Sequence, residues 1–78
     1  MDNVRSKCID VFAKTMEVSS DQVSDETDPG NLEQWDSLTH VQLISALEKE
    51  FNIEIAPDEG IDLENFLMIH QFVEKKVA

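Results

Sequence analysis

Ser37 and the residues beside it are the part of this sequence best placed to carry chemistry. Asp36 precedes Ser37 where apolar residues begin to recur at helical spacing, so we predict that Asp36 caps a helix and Ser37 occupies its first position. A serine at the tip of a helix keeps its side chain outside the core, and its hydroxyl is open to a modifying enzyme. The alternative interpretation is that Asp36 and Ser37 only cap the helix and have no chemical role.

A serine nucleophile is a second chemistry that these residues allow. His40 lies three residues after Ser37, so the two side chains share a helical face. The sequence shows no residue that would obviously orient the imidazole and no glycine-rich turn that would supply an oxyanion hole. We therefore do not favour a hydrolytic enzyme, and we expect His40 to be a surface residue.

The helix that begins at Ser37 is predicted to run to about Phe51, and its apolar residues fall on two stripes. Leu43, Leu47 and Phe51 step by four and form a ridge that faces the core. The second stripe steps by three on a neighbouring face and is made of Leu38, Val41 and Ile44. Since one stripe suffices for a single core, the second is a candidate contact surface, and the alternative is a broader buried face.

The residues before Ser37 are predicted to form one helix and a long loop. The helix can be capped by Asp2 or Asn3, and its apolar stripe consists of Val4, Cys8, Ile9, Val11, Phe12 and Met16. The loop, residues 17–36, is rich in Ser, Asp and Glu and contains the turn signal Pro29-Gly30. We expect its main apolar residues to anchor it to the core: Val23, Leu32 and Trp35.

The residues after the second helix are predicted to form a short helical segment and a last main helix. Asn52 ends the second helix, Pro57 starts a brief helical segment that Gly60 interrupts, and a last helix runs from about Leu67 to Val77. Its inward residues should be Ile69, Phe72, Val73 and Val77. The expected fold is an all-α bundle of three main helices and one short helix, and residues 1–78 should be a single domain.

Charge and size narrow the classes of function. The net charge is −11 over 78 residues, which repels nucleic acids and anionic membranes and attracts partners with basic patches. A domain of this size has no room for both a core and a deep catalytic cleft.

One cysteine, Cys8, excludes an internal disulfide, and we expect a cytoplasmic monomer without membrane insertion. The acidic loop residues Asp21, Asp25, Glu26 and Asp28 lack the spacing of a calcium-binding loop, so no metal site is expected.

The run Gln34-Trp35-Asp36-Ser37-Leu38 and the helix that follows resemble the prosthetic-group attachment site of acyl carrier proteins. The resemblance extends over essentially the whole chain, including the long loop and the Ile55-to-Glu59 link. It implies that Ser37 carries 4′-phosphopantetheine, with Asp36 and Leu38 beside the attachment point, and that the arm holds an acyl or aminoacyl cargo as a thioester. The helix dipole would favour the phosphodiester there. The implied partners are a phosphopantetheinyl transferase, a loading enzyme and downstream transferases.

Several residues depart from the pattern of fatty-acid carriers. Thr39, His40 and Gln42 stand where acidic residues usually follow the motif, and Trp35 replaces a smaller apolar residue. Carriers of this Trp-Asp-Ser-Leu type resemble those of specialised pathways, and the Val41-Gln42-Leu43 run is similar to D-alanyl carrier proteins. Both resemblances imply a short or polar cargo. Met68 stands where the family often has a capping Ser or Thr, so the last helix is expected to start without a side-chain cap.

The second class of function is an unmodified acidic helical module that binds a basic protein. In either case the contact surface would lie on the second helix, and the candidate docking residues are Leu38, Val41, Ile44, Ser45 and Glu48.

Overall fold

A computed structural model describes residues 3–77, with side chains from Val4 onward. The helices are α1 (Asn3–Met16), α2 (Ser37–Phe51), α3 (Pro57–Ile61) and α4 (Phe66–Val77), and a 3₁₀ helix spans Ser20–Gln22. Residues 3–77 contain no strand, which confirms the predicted all-α fold of three main helices and one short helix. The predicted cap of α1 by Asp2 or Asn3 depends on side chains that lie outside the described part of the chain.

Phe12 lies at the centre of the core, where α1, α4 and the loop before α2 meet. Its ring packs edge-to-face against Trp35, with centroids 5.0 Å apart, and against Phe66 at 5.5 Å. Cys8 is also fully buried, as its place on the α1 stripe predicted. Edge-to-face aromatic pairs add to the burial of their surface, so this cluster fixes how the loop meets the helices.

The loop between α1 and α2 is held to the core at several points. Leu32 and Trp35 are buried as predicted, and Val23 is half-buried. Thr27 was not predicted to be an anchor, yet it is also buried, and its carbonyl oxygen accepts a hydrogen bond from the N–H of Phe66. The loop is therefore fastened to the start of α4 as well as to α1.

The C-terminal half differs from the prediction in three places. Gly60 does not interrupt the short helix but lies inside α3 and is buried beside Ile44 of α2. Helix α4 has a side-chain cap after all, since Asn65 Oδ1 accepts a hydrogen bond from the N–H of Met68 at 2.8 Å. Val77 is 40% exposed rather than inward, because it lies at the end of α4 beyond the core.

Candidate functional site

The start of α2 is fixed by a reciprocal cap between Asp36 and Thr39. Asp36 Oδ1 accepts a hydrogen bond from the N–H of Thr39 at 3.0 Å, and Thr39 Oγ1 accepts one from the N–H of Asp36 at 2.9 Å. The Thr39 hydroxyl also donates to the carbonyl oxygen of Gln34 at 2.7 Å. The hydrogen bond from the Thr39 N–H is the main reason that the pKa of Asp36 lies below its usual value of 3.8, so Asp36 is ionised at neutral pH.

Ser37 is exposed at the first position of α2, as predicted. Its hydroxyl lies at the helix end where the dipole is positive and backbone N–H groups lack partners within the helix. A phosphodiester on this oxygen would lie near that positive end, and the Ser37 side chain is accessible to an enzyme that adds it. The local structure therefore fits a phosphate-linked group.

His40 is not the free surface residue that we expected from the sequence. The indole Nε1–H of Trp35 donates to His40 Nδ1 at 2.9 Å, and His40 Nε2 lies 2.8 Å from the carbonyl oxygen of Gly60. Since an indole N–H can only donate, Nδ1 must be the acceptor, and Nε2 carries the proton that is donated to Gly60. Both ring nitrogens are occupied in this way, so His40 is not placed to act as a base on Ser37.

A groove of about 620 Å³ opens beside Ser37. Its surface is mainly apolar, and it lies between the start of α2, the loop before α2, and the segment formed by α3 and the residues after it. The lining residues are Pro29, Trp35, Asp36, Ser37, His40, Val41, Ile61, Leu63 and Glu64. A group attached to Ser37 would start at the edge of this groove.

The predicted docking residues of α2 do not share one environment. Leu38 is 67% exposed and Val41 is 64% exposed, and Ser45 is also exposed. Ile44 is half-buried instead, because its side chain packs against Gly60 of α3. Glu48 is half-buried too, and its Oε2 accepts a hydrogen bond from the N–H of Ile55 at 2.8 Å. We call Leu38 and Val41 the outer face of α2.

Two of the four acidic loop residues make side-chain contacts within the protein. Asp25 Oδ1 pairs with Arg5 Nη1 at 2.7 Å, and Asp28 Oδ1 accepts a hydrogen bond from the N–H of Asn31 at 2.9 Å. No group of three or more His, Cys, Asp or Glu side chains within residues 3–77 is arranged to hold a metal ion. No helix in this same stretch is both long and apolar enough to cross a membrane.

Comparison with known proteins agrees with this geometry. Residues 8–69 match the family described as "Phosphopantetheine attachment site". An acyl carrier protein of Guillardia theta is 32% identical over 68 residues, which cover 87% of this chain and 84% of that protein. An acyl carrier protein of Buchnera aphidicola is 31% identical over 77 residues, covering 99% of both chains.

A solved structure gives the same result at the level of the fold. The solution NMR structure of the holo acyl carrier protein from Geobacter metallireducens superposes with a TM-score of 0.84 and 28% identity, over 99% of this chain and 87% of that one.

Proteins of this family interact with a phosphopantetheinyl transferase and with acyl-handling enzymes, and they are not enzymes themselves. The chain belongs to the acyl carrier protein family and is a carrier that bears a covalently attached 4′-phosphopantetheine arm.

Proposed function

We propose that Ser37 is the residue that carries the arm, and that the arm presents an acyl or aminoacyl intermediate as a thioester to the enzymes of a specialised pathway. The observation that supports this most strongly is the exposed hydroxyl of Ser37 at the first position of α2, at the edge of the apolar groove. Ser45, by contrast, lies in the middle of α2, away from the positive end of the helix.

The residues around Ser37 have separate roles in this proposal. The arm supplies a thiol that forms the thioester with the cargo. Asp36 and Thr39 hold the helix start, so the Ser37 oxygen has one defined position relative to the positive end of α2. Leu38 is exposed beside it and provides an apolar contact for the enzyme that attaches the arm.

The outer face of α2 is the docking surface in this proposal. Large exposed apolar side chains next to the attachment point mark a protein contact site on a chain of this charge. Ser45 extends the outer face, while Ile44 and Glu48 border it and mainly serve contacts inside the fold. The net charge of −11 favours partners with basic patches around their active sites.

A short or polar cargo fits the departures from the fatty-acid pattern. Thr39 is used in the helix cap and His40 in contacts with Trp35 and Gly60, so the positions after the motif serve the fold rather than presenting acidic charge. We place the protein in the cytoplasm as a monomeric single domain of residues 1–78. The unmodified interaction module is not favoured, because members of the matched family bear the arm.

The attachment residue is tested by intact mass. Incubation with coenzyme A and a broad-specificity phosphopantetheinyl transferase should add one arm to the wild-type protein and none to Ser37→Ala. Ser6→Ala is the control, since it removes an exposed serine of α1 that is not on the docking surface, and it should still accept one arm. An arm that is added to Ser37→Ala as efficiently as to wild type would show that another residue carries it.

A further inference from the structure

His40 joins three separate parts of the chain through one side chain. Trp35 comes from the loop before α2, His40 from α2 itself, and Gly60 from α3. The two hydrogen bonds of 2.9 Å and 2.8 Å use both ring nitrogens, and the imidazole lies nearly parallel to the indole, at an interplanar angle of 17°. We call this arrangement the His40 bridge.

The His40 bridge separates the groove from the core. Trp35 and His40 line the groove on one side, and on the other side the Trp35 ring contacts the fully buried Phe12. Gly60 continues this barrier, because α3 lies so close to α2 that a Cβ at Gly60 would be 3.4 Å from Ile44 Cγ1. Apolar cargo in the groove is thus separated from the core by side chains that are hydrogen bonded to one another.

A cargo chain that entered the core at this point would leave polar groups without hydrogen-bond partners. A chain that passed between α2 and α3 would have to move His40 away from Gly60 or from Trp35. Moving His40 from Trp35 leaves the indole N–H, on a side chain only 2% exposed, without its acceptor, and moving it from Gly60 leaves the His40 ring N–H without its acceptor. The carbonyl oxygen of Gly60 keeps the hydrogen bond that it accepts from the N–H of Leu63 at 3.2 Å. Buried groups without partners are costly, whereas a cargo that stays in the groove disturbs neither bond.

From this geometry we infer that His40 determines cargo specificity: the His40 bridge keeps cargo on the arm in the outer groove, against Val41 and Ile61, and closes the route into the core. This inference rests on the proposed attachment to Ser37. It assigns the carrier to acyl or aminoacyl groups that are short enough to be accommodated outside the core. His40 acts by positioning α3 and Trp35 and takes no part in any bond-making step.

The test compares short and long cargo on the intact carrier. Wild-type protein and His40 variants are loaded with butanoyl or decanoyl arms, and methyl NMR spectra are compared with those of the protein with the free arm. In wild type, both cargoes should shift the groove methyls of Val41 and Ile61 and leave the core methyls of Leu47 and Ile69 in place. In His40→Ala, the decanoyl chain should shift the core methyls as well.

Three further variants separate the bridge from a general loss of packing. His40→Gln keeps a donor for Gly60 and should restore the wild-type pattern. His40→Phe keeps an aromatic ring but removes both hydrogen bonds, so it should behave as His40→Ala does even if the alanine variant folds poorly. Gln42→Ala, at an exposed position of the same helix, should match wild type.

A measurement without the arm makes the outcome independent of Ser37. In the unmodified protein, His40→Phe should raise amide hydrogen exchange of Gly60 and Leu63 by about tenfold or more relative to wild type, while exchange in α1 stays unchanged. Wild-type core methyls that shift with decanoyl cargo, or α3 exchange that is unchanged in His40→Phe, would overturn the inference. Failure of Ser37 to take the arm would appear separately in the intact mass and would count against the proposed function alone.

Discussion

The two apolar faces of α2 have the same kinds of residue and opposite environments. Leu43 and Leu47 are completely buried, whereas Leu38 and Val41 are 67% and 64% exposed on the outer face. Both sets lie on one helix of fifteen residues, so helix propensity and hydrophobicity do not distinguish them. The inner residues therefore stabilise the fold, while the outer residues are exposed and available for contacts beyond this chain.

The largest difference between the two faces should appear when the same substitution is made on each of them. Leu47→Ala should lower the free energy of unfolding by about 2–5 kcal/mol, because it leaves a cavity in a fully buried site. Leu38→Ala should change it by no more than ~0.5 kcal/mol, since the side chain is mostly in water. Urea denaturation followed by far-UV circular dichroism measures both. Equal losses for the two variants would mean that the faces are not distinct.

A charge on the outer face should harm recognition without harming the fold. Val41→Asp should lower kcat/KM for arm transfer by about tenfold, which corresponds to ~1.4 kcal/mol of lost binding, while the melting temperature stays near that of wild type. Gln42→Asp is the control, because it adds the same charge at the next exposed position of α2. If Gln42→Asp were as defective as Val41→Asp, the effect would be one of net charge and not of the outer face.

Cations should stabilise the fold through charge rather than through either face. At low ionic strength the net charge of −11 opposes compaction, so added Mg²⁺ or Ca²⁺ should raise the melting temperature of the unmodified protein. A gain of about 1 kcal/mol would correspond to roughly 4–8 °C for a domain of this size. Differential scanning calorimetry should give similar increments for wild type and Leu38→Ala. No increase with either cation would contradict the self-repulsion.

The smallest effect expected is a loss of stability in acid at two helix ends. The pKa of Asp36 is held below 3.8 chiefly by the N–H of Thr39, and the pKa of Glu59 below 4.5 chiefly by the N–H of Ala56. Both groups therefore stabilise the fold above their ordinary pKa values, and this contribution disappears as the pH falls through the lower folded values.

A matched variant isolates the titration of Asp36. Asp36→Asn keeps a cap acceptor but cannot titrate, so its melting temperature should fall less than that of wild type between pH 5 and pH 3, by roughly a degree or two. An identical acid dependence in both proteins would show that the cap carboxylate contributes nothing to it.

Local signals explain what the sequence predicted well. The bounds of α2 follow from Asp36 at its start and from Asn52 at its end, where the backbone adopts a left-handed conformation with φ of 55°. The burial of Cys8 follows from helical spacing on a single face of α1. These features depend on neighbours within one or two turns of the chain.

The features that the sequence missed depend on distant partners. The bridge from His40 reaches a carbonyl group 20 residues away, and the contact that buries Gly60 beside Ile44 joins residues that are also far apart in the chain. Spacing alone placed Ile44 on the same stripe as Val41, and only the position of α3 separates them. The cap at Asn65 is different, because an Asn three residues before Met68 was a readable signal.

The most direct test of the central claim is to locate the arm within the modified protein. Trypsin should release residues 15–49 as one peptide, since no Lys or Arg lies between Lys14 and Lys49, and this peptide contains five serines: Ser19, Ser20, Ser24, Ser37 and Ser45. Fragmentation by tandem mass spectrometry should place the added mass on Ser37. An added mass on any of the other four serines, with Ser37 unmodified, would contradict the account.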